Sequence, residues 1–287
     1  MGQAVTVGLS GGLGNQMFQY AAGRALALKL GGPLCLDLSW FLWSKSRRYS
    51  LGAFAIAAGV SQPPLRLPDW AKAFESRISR KWGRKRMGAR IYREPHFHFA
   101  PGFLDISGPV YLEGYWQSER YFSSCREVVR RDFSLREAVP AKCRPVLEQI
   151  QTSEAVCLHV RRGDYAAASG VHELCSLDYY RRGMDRIAEV ARRPHAFIFS
   201  DDPIWVRENL TPSMPATVVD VNGPQEAQWD LNLMAACRHF IIANSSLSWW
   251  AAWLGASPDK RIVAPKKWFK VAGRSTGDLI PSEWQRI

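Results

Sequence analysis

Between Val156 and Tyr165 the chain reads VCLHVRRGDY. The run from Ala155 to Val160 is short, apolar and without polar alternation, which is the pattern of a buried strand, and Gly163-Asp164 is a strong turn signal. His159, Arg161 and Arg162 stand between them, where a parallel strand meets its loop. In open α/β sheets ligands bind at that edge, beyond the carboxyl ends of the strands. Two adjacent arginines there are costly to hold unless an anion neutralises them. Their planar guanidinium forks suit phosphate oxygens. An exposed RGD-type turn is the simpler reading of the tripeptide alone. With an apolar strand in front of it, and a histidine two residues before the first arginine, the segment reads as a diphosphate clamp.

The rest of the chain supplies the sheet that such a strand requires. Ala4–Leu9 is a first strand, followed by the glycine-rich stretch SGGLGNQ, which contains Gly12, Gly14, Asn15 and Gln16, and by a helix from Met17 to Leu30 stopped at Gly31-Gly32. A second strand, Leu34–Leu38, completes a βαβ opening. The glycines do not fit the G-x-G-x-x-G spacing of dinucleotide sites, and no GK[ST] follows, so neither an NAD fingerprint nor a Walker loop is present. A tight turn that lets strand and helix pack closely accounts for the glycines most plainly; Asn15 and Gln16 at the helix start favour a ligand.

After an irregular middle come a strand at Val110–Gly114, a basic amphipathic helix at Glu119–Phe133 and a helix at Ala141–Thr152. From the clamp onward, strands at 195–199, 216–221, 239–243 and 261–264 alternate with helices at 177–191, 204–210, 225–237 and 247–254. That rhythm indicates a parallel, doubly wound sheet. The expected fold is α/β, two Rossmann-like domains covering 1–150 and 151–287 with a cleft between them.

Composition narrows the class. At 47% hydrophobic and 22% charged the chain is an ordinary globular one, and a net charge of +12 calls for acidic partners: nucleic acid, nucleotide phosphates or an anionic membrane. Nine of the basic residues lie between Lys72 and Arg93 against a single acid, Glu75. A solvated helix face is the common outcome for such a run, and peripheral contact with an anionic membrane is the sharper one. No nucleic-acid-binding motif accompanies the charge. Six scattered cysteines form neither a disulfide framework nor a zinc site. No stretch has the length of a membrane span and no signal peptide is evident, so a cytoplasmic protein is the expectation.

Three successive strands of the second half end in polar signatures, HVRRGD, SDD and NSS. Asp201-Asp202 is either a metal-binding pair or, ahead of Pro203, a helix cap with the second acid left to accept from a purine N–H edge. Asn244, Ser245 and Ser246 precede a helix and serve as caps, as a phosphate site, or both. Trp249, Trp250 and Trp253 read as core or as a stacking surface rather than as catalytic groups. His159 is either a satisfied core histidine or a ligand group.

Taken together, GGLGNQMFQYAAGRALA (Gly11–Ala27), GYWQSERYF (Gly114–Phe122), HVRRGDY (His159–Tyr165), FIFSDD (Phe197–Asp202) and IIANSSLSWWAAWLG (Ile241–Gly255) resemble the bacterial α-1,2-fucosyltransferases over almost the full length and in the family's order. The resemblance implies a GT-B fold, GDP-β-L-fucose as donor, a galactose-terminated glycan as acceptor, inversion at the anomeric carbon and no required metal. It implies that Arg161 meets the donor β-phosphate with Arg162 in support, and that His159 and Asp202 contact the guanosine. Asn244, Ser245 and Ser246 fall on the phosphate side, while Gly12, Gly14 and Asn15 bring the other domain's glycine loop to the fucose and diphosphate. Asp164, His172 and Glu173 stand near the clamp, none at a base position matched by the family pattern; Asp164, inside the motif, is the candidate catalytic carboxylate. The rival class is a non-catalytic nucleotide-sugar or acidic-ligand binding protein, which would release no GDP when an acceptor is present.

Overall fold

Short apolar runs build two parallel sheets in the computed structural model, which describes residues 2–44, 46–61, 90–163, 173–270 and 275–287. The chain divides into Met1–Arg136 and Glu137–Ile287. The division falls ahead of the helix Arg144–Gln151, which sequence periodicity places at the end of the first half. That helix packs on the first strand of the second unit instead.

In the first unit, β1 (Val5–Gly8) leads into α1 (Leu13–Lys29) and β2 (Leu34–Asp37), followed by β3 (Gly59–Ser61), β4 (Arg90–Arg93) and β5 (Val110–Glu113). The sheet order is β3-β2-β1-β5-β4 and each pairing is parallel. β1 lies at the centre, with Val5 and Val7 fully buried. The chain leaves β1 for β2 on one side and reaches β5 on the other, so the topological switch lies between β1 and β5. α1 ends as expected at Gly31-Gly32, whose N–H groups donate to the carbonyls of Leu28 and Ala27.

The expected helix at 119–133 is not continuous. Two 3-10 turns (Glu119–Tyr121 and Ser123–Cys125) precede α2 (Arg126–Asp132). Ser118 accepts from the Arg120 N–H, and serine hydroxyls compete in this way with helical bonding. Tyr121 and Phe122, neighbours in sequence, are both buried, which a one-sided amphipathic pattern does not provide for. β3 and β4 are edge strands with little apolar signal. Of the basic run 72–93 only Arg90–Arg93, which is β4, is within the described residues.

The second unit contains α3 (Arg144–Gln151), β6 (Glu154–Val160), α4 (Leu177–Ala188), β7 (Pro194–Ser200), α5 (Pro203–Asn209) and β8 (Ala216–Val219). α6 (Ala227–Ala235), β9 (His239–Ile241), α7 (Ser246–Leu254), β10 (Ile262–Ala264) and the two-residue β11 (Gln285–Arg286) complete it. Its parallel sheet runs β11-β10-β9-β6-β7-β8, the 3-2-1-4-5-6 order of a Rossmann fold, with the switch between β6 and β9. α4 is capped by Ser176, and the Tyr179 hydroxyl donates to the Ile242 carbonyl at 2.6 Å, fixing the helix to the end of β9. Trp249, Trp250 and Trp253 of α7 are core, and Trp249 Nε1 donates to the Leu279 carbonyl. Lys260 Nζ reaches the carbonyls of Ala252 and Gly255 and satisfies the carboxyl end of α7. Among the described residues no helix is long and apolar enough to cross a membrane.

One buried polar cluster fastens α1 to α2. Asp132 Oδ2 accepts from the Tyr20 hydroxyl at 2.7 Å and from Arg24 Nε at 2.8 Å, and the Tyr20 oxygen accepts the Ala57 N–H. Removing one partner of a buried ionic cluster leaves the others desolvated without compensation, at a cost of about 3–5 kcal/mol. Asp132→Ala is therefore expected to lower the urea unfolding midpoint by an amount equivalent to that cost. A loss below about 1 kcal/mol, the level of a surface pair, would show that the cluster does not fasten the helices.

Candidate active site

The clamp segment is placed by strand register. β6 and β7 pair with Val160 opposite Ser200, so residues 161–162 emerge beside Asp201. The Arg162 N–H donates to Asp201 Oδ1 at 2.8 Å, and Arg161 Nε lies 3.3 Å from Asp201 Oδ2. Gly163 follows because a Cβ there would sit 2.9 Å from the same carboxylate oxygen. The two arginines then part. The Arg162 guanidinium lies 3.7 Å from the ring centroid of Trp205 on α5, a cation–π contact. Arg161 is thus the arginine whose side chain is held by a carboxylate, and Arg162 is the one whose side chain stacks on an aromatic face.

The cap expected of one of the two acids falls to the second. Asp202 is the N-cap of α5, its Oδ1 accepting from the Trp205 N–H at 3.0 Å, and Asp201 is the partner of the arginines. Asp202 is thus tied at one oxygen to the helix it caps.

His159 is 4% exposed, and its Nδ1 has no hydrogen-bond partner among the described residues. Burial, reinforced by the charge of Arg161, pushes its imidazolium down to about 3, so the ring is neutral. Burial pushes the neighbouring Tyr180 hydroxyl well above its ordinary range. Burial raises the Cys175 thiol to about 11.

Asn244, expected on the ligand side, is turned inward instead. It is 1% exposed, and its Nδ2 donates to the carbonyls of Glu173 at 2.6 Å and Trp268 at 3.0 Å. It ties two loops together beneath the switch point. Ser245 is the N-cap residue of α7 with no side-chain cap bond, and Ser246 is the first residue of that helix, so a helix N-terminus with two hydroxyls opens beside the carboxyl end of β9. Asp164 and His172 lie outside the described residues.

In the first unit the glycine-rich stretch is shorter than it reads, because α1 already begins at Leu13. Gly12 is its N-cap, with a carbonyl that accepts from the N–H groups of Asn15 and Gln16. Gly14 is buried in the first turn. Gln16 is not a ligand group: its Oε1 accepts from Ser50, and its Nε2 donates to the carbonyls of Gly11 and Arg48. Gln19 likewise binds Ser10 and the Gly114 carbonyl. These buried amides shape the loops around the β1/β5 switch and leave Asn15 half-buried at the helix start.

Two residues that sequence reasoning did not single out complete that edge. Gln117 Nε2 donates to Asn15 Oδ1 at 2.9 Å. Glu94 accepts from the N–H groups of Tyr115 at 2.7 Å and Trp116 at 2.9 Å. Burial raises its carboxyl to about 7, against the pull of those two donors and of His96. Gln117 carried a signal, since it lies inside the GYWQ motif; Glu94, at the end of an edge strand, carried none. Among the described residues no group of three or more His, Cys, Asp or Glu is placed to hold a metal ion.

The depressed His159 value carries a pH consequence. The fold refuses a proton that the unfolded chain accepts below about 6.5, so this contribution is intact above that pH. It is lost on acidification toward about 3, by about 1.4 kcal/mol per pH unit. His159→Gln is expected to flatten the fall of the urea midpoint between neutral and mildly acidic pH. An unchanged slope would show that the ring titrates normally.

The family profile described as "Glycosyl transferase family 11" matches residues 88–287. The chain is 31% identical to the O-antigen biosynthesis glycosyltransferase WbnK of Escherichia coli, over 96% of this chain and 98% of that one. It is 30% identical to an Escherichia coli alpha-1,2-colitosyltransferase, over 99% and 98%. Human galactoside alpha-(1,2)-fucosyltransferase 1 is 28% identical, over 87% of this chain and 65% of that one. Among solved structures the NodZ alpha-1,6-fucosyltransferase shares the fold, with a TM-score of 0.50 at 18% identity over 88% and 93% of the two chains. The two Rossmann-like units are thus those of a GT-B glycosyltransferase, and the chain belongs to glycosyl transferase family 11.

Proposed function

We propose that the chain transfers L-fucose from GDP-β-L-fucose to the 2-hydroxyl of a galactose-terminated glycan, forming an α-1,2-fucoside with inversion. The observation that carries this reading is Arg161, at the carboxyl end of β6 beside the switch point of a Rossmann-ordered sheet, with its Nε side braced by Asp201. A guanidinium braced at Nε keeps a fixed direction, so its charge meets an anion without reorganising. The N-terminus of α7 with Ser245 and Ser246 supplies further donors after the neighbouring strand. His159, buried and neutral with an unpartnered nitrogen, and Asp202, are the proposed guanosine contacts. The activities named for the relatives, alpha-1,2-colitosyl transfer and galactoside alpha-(1,2)-fucosyl transfer, support this linkage and acceptor.

In this reaction the acceptor hydroxyl attacks the anomeric carbon from the face opposite the nucleotide. The bond from that carbon to the β-phosphate oxygen breaks, and the electron pair departs with GDP. Negative charge grows on the diphosphate while positive charge grows on the sugar ring. Arg161 and the α7 N-terminus are fixed donors aimed at that growing charge, the role a divalent cation fills in other transferases. Asp164, the carboxylate of the same motif, is the proposed acceptor of the hydroxyl proton. Gly12, Gly14 and Asn15 form the first unit's contribution, with Asn15 as the side chain that meets the sugar or its diphosphate.

A second reading, colitosyl transfer, is favoured by the alpha-1,2-colitosyltransferase relative. Colitose lacks the 3-hydroxyl of fucose, and a site built to bond a hydroxyl rejects the analogue without it by about 10⁴–10⁵-fold. Rates with the two GDP-sugars therefore separate the readings.

Arg161→Ala is expected to lower fucose transfer to a galactoside by about 100- to 1000-fold, with circular dichroism unchanged. A folded variant within a few-fold of the unaltered chain would remove Arg161 from the site. If the unaltered chain bound GDP-fucose but transferred it to no acceptor, the binding-protein reading would replace this one.

A further inference from the structure

Asn15 is held at the oxygen end of its side-chain amide. Its Oδ1 accepts from Gln117 Nε2 at 2.9 Å. Its Nδ2 lies against the backbone of Gly11, where a Cβ would approach it to 2.6 Å and where φ is +76°. The oxygen is occupied, and the nitrogen has no hydrogen-bond acceptor among the described residues. An amide held this way presents a donor. Turned end for end, it would present a carbonyl oxygen and repel an anion.

Gln117 is placed by a turn that the chain does not adopt readily. Trp116 has φ +57°, the single non-glycine positive φ among the described residues, and a bulky side chain in that region costs about 1–3 kcal/mol. Such a conformation persists only where the surroundings over-determine it. Here they do. Glu94 accepts from the N–H groups of Tyr115 and Trp116, and the Ser118 N–H donates to the Trp116 carbonyl at 2.8 Å. The Trp116 ring is fully buried against Tyr92, Phe103 and Tyr121. The turn follows β5 and Asn15 follows β1, so the Gln117–Asn15 bond spans the first unit's switch point.

We propose that Glu94 and Gln117 are positioning residues for transfer. Glu94 locks the strained 115–116 turn, the turn delivers Gln117, and Gln117 fixes the Asn15 amide so that its N–H₂ end faces the substrate's developing negative charge. The inference rests on the reading of Asn15 as the first unit's contact with the sugar diphosphate. Neither positioning residue touches the substrate. Both act through Asn15, and this separates them from residues that only hold the fold.

The test is a set of double-variant cycles, run with whichever GDP-sugar the unaltered chain turns over. Gln117→Ala and Glu94→Ala are each expected to lower kcat, by up to about 100-fold, with the donor KM unchanged. In an Asn15→Ala background neither is expected to cause a further loss, because groups that act as a unit are non-additive. Glu94→Gln, which keeps one acceptor oxygen, is expected to restore part of the Glu94→Ala loss. Full, multiplicative losses in the Asn15→Ala background would overturn the proposal, as would a wild-type kcat in Gln117→Ala. The reading of Asn15 itself fails separately, if Asn15→Ala alone leaves kcat intact.

Discussion

The carboxylate of Asp201 sets the geometry at the heart of the second unit. Two arginines in sequence at a strand end repel each other and solvate separately unless an acid between them fixes their directions. Parallel register supplies that acid. Because Val160 faces Ser200, the residue after β7 arrives beside the two residues after β6. One oxygen of Asp201 takes the Arg162 N–H and the other faces Arg161 Nε. Both side chains of the Arg161–Asp201 pair are only about one-fifth exposed, so their desolvation offsets much of their attraction and the pair's net contribution to stability is small. Its effect is orientation: the backbone of the loop is locked, Arg162 is sent to Trp205, and Arg161 is held at the strand end.

The same arrangement governs both units. In each, the sheet order reverses beside the first strand, and the loops on either side of the reversal carry the polar residues. In the second unit these are the arginine loop and the Ser245–Ser246 helix start. In the first they are the α1 start and the 114–117 turn. In each unit, too, buried amides beneath the crevice hold the loops: Asn244 below one, Gln16 and Gln19 below the other. A buried amide that uses its hydrogens on carbonyls of separate loops ties them at fixed distance, which polar contact with solvent could not do.

Much of this was legible in the sequence. Uniform apolar runs flagged β1, β2, β5 and β6 through β10, since a strand covered on both faces needs no alternation. Gly31-Gly32 and Pro203 marked helix ends by their local chemistry. Edge strands β3, β4 and β11 were not legible, because a strand paired on one side needs little apolar content. The helix expected at 119–133 failed where serines offered competing hydrogen bonds. In the site, Arg161 stood out because two arginines directly after an apolar strand are costly to hold without an anion. Asn244, Gln16 and the assignment between Asp201 and Asp202 did not, since a polar side chain beside a ligand edge reads alike whether it turns inward or outward. Glu94 was invisible on different grounds: its partners are backbone N–H groups of a turn more than twenty residues away in sequence.

In the proposed reaction fixed protein donors, Arg161 and the α7 N-terminus, carry the charge that leaves with GDP. A transferase that relies on a bound cation for this loses its activity when the cation is removed, whereas one that relies on guanidinium and backbone N–H groups does not. The most direct measurement is the initial rate of fucose transfer to a galactoside in excess EDTA. The expected rate equals that without chelator. Loss of transfer on chelation, restored by Mn²⁺ or Mg²⁺, would contradict it.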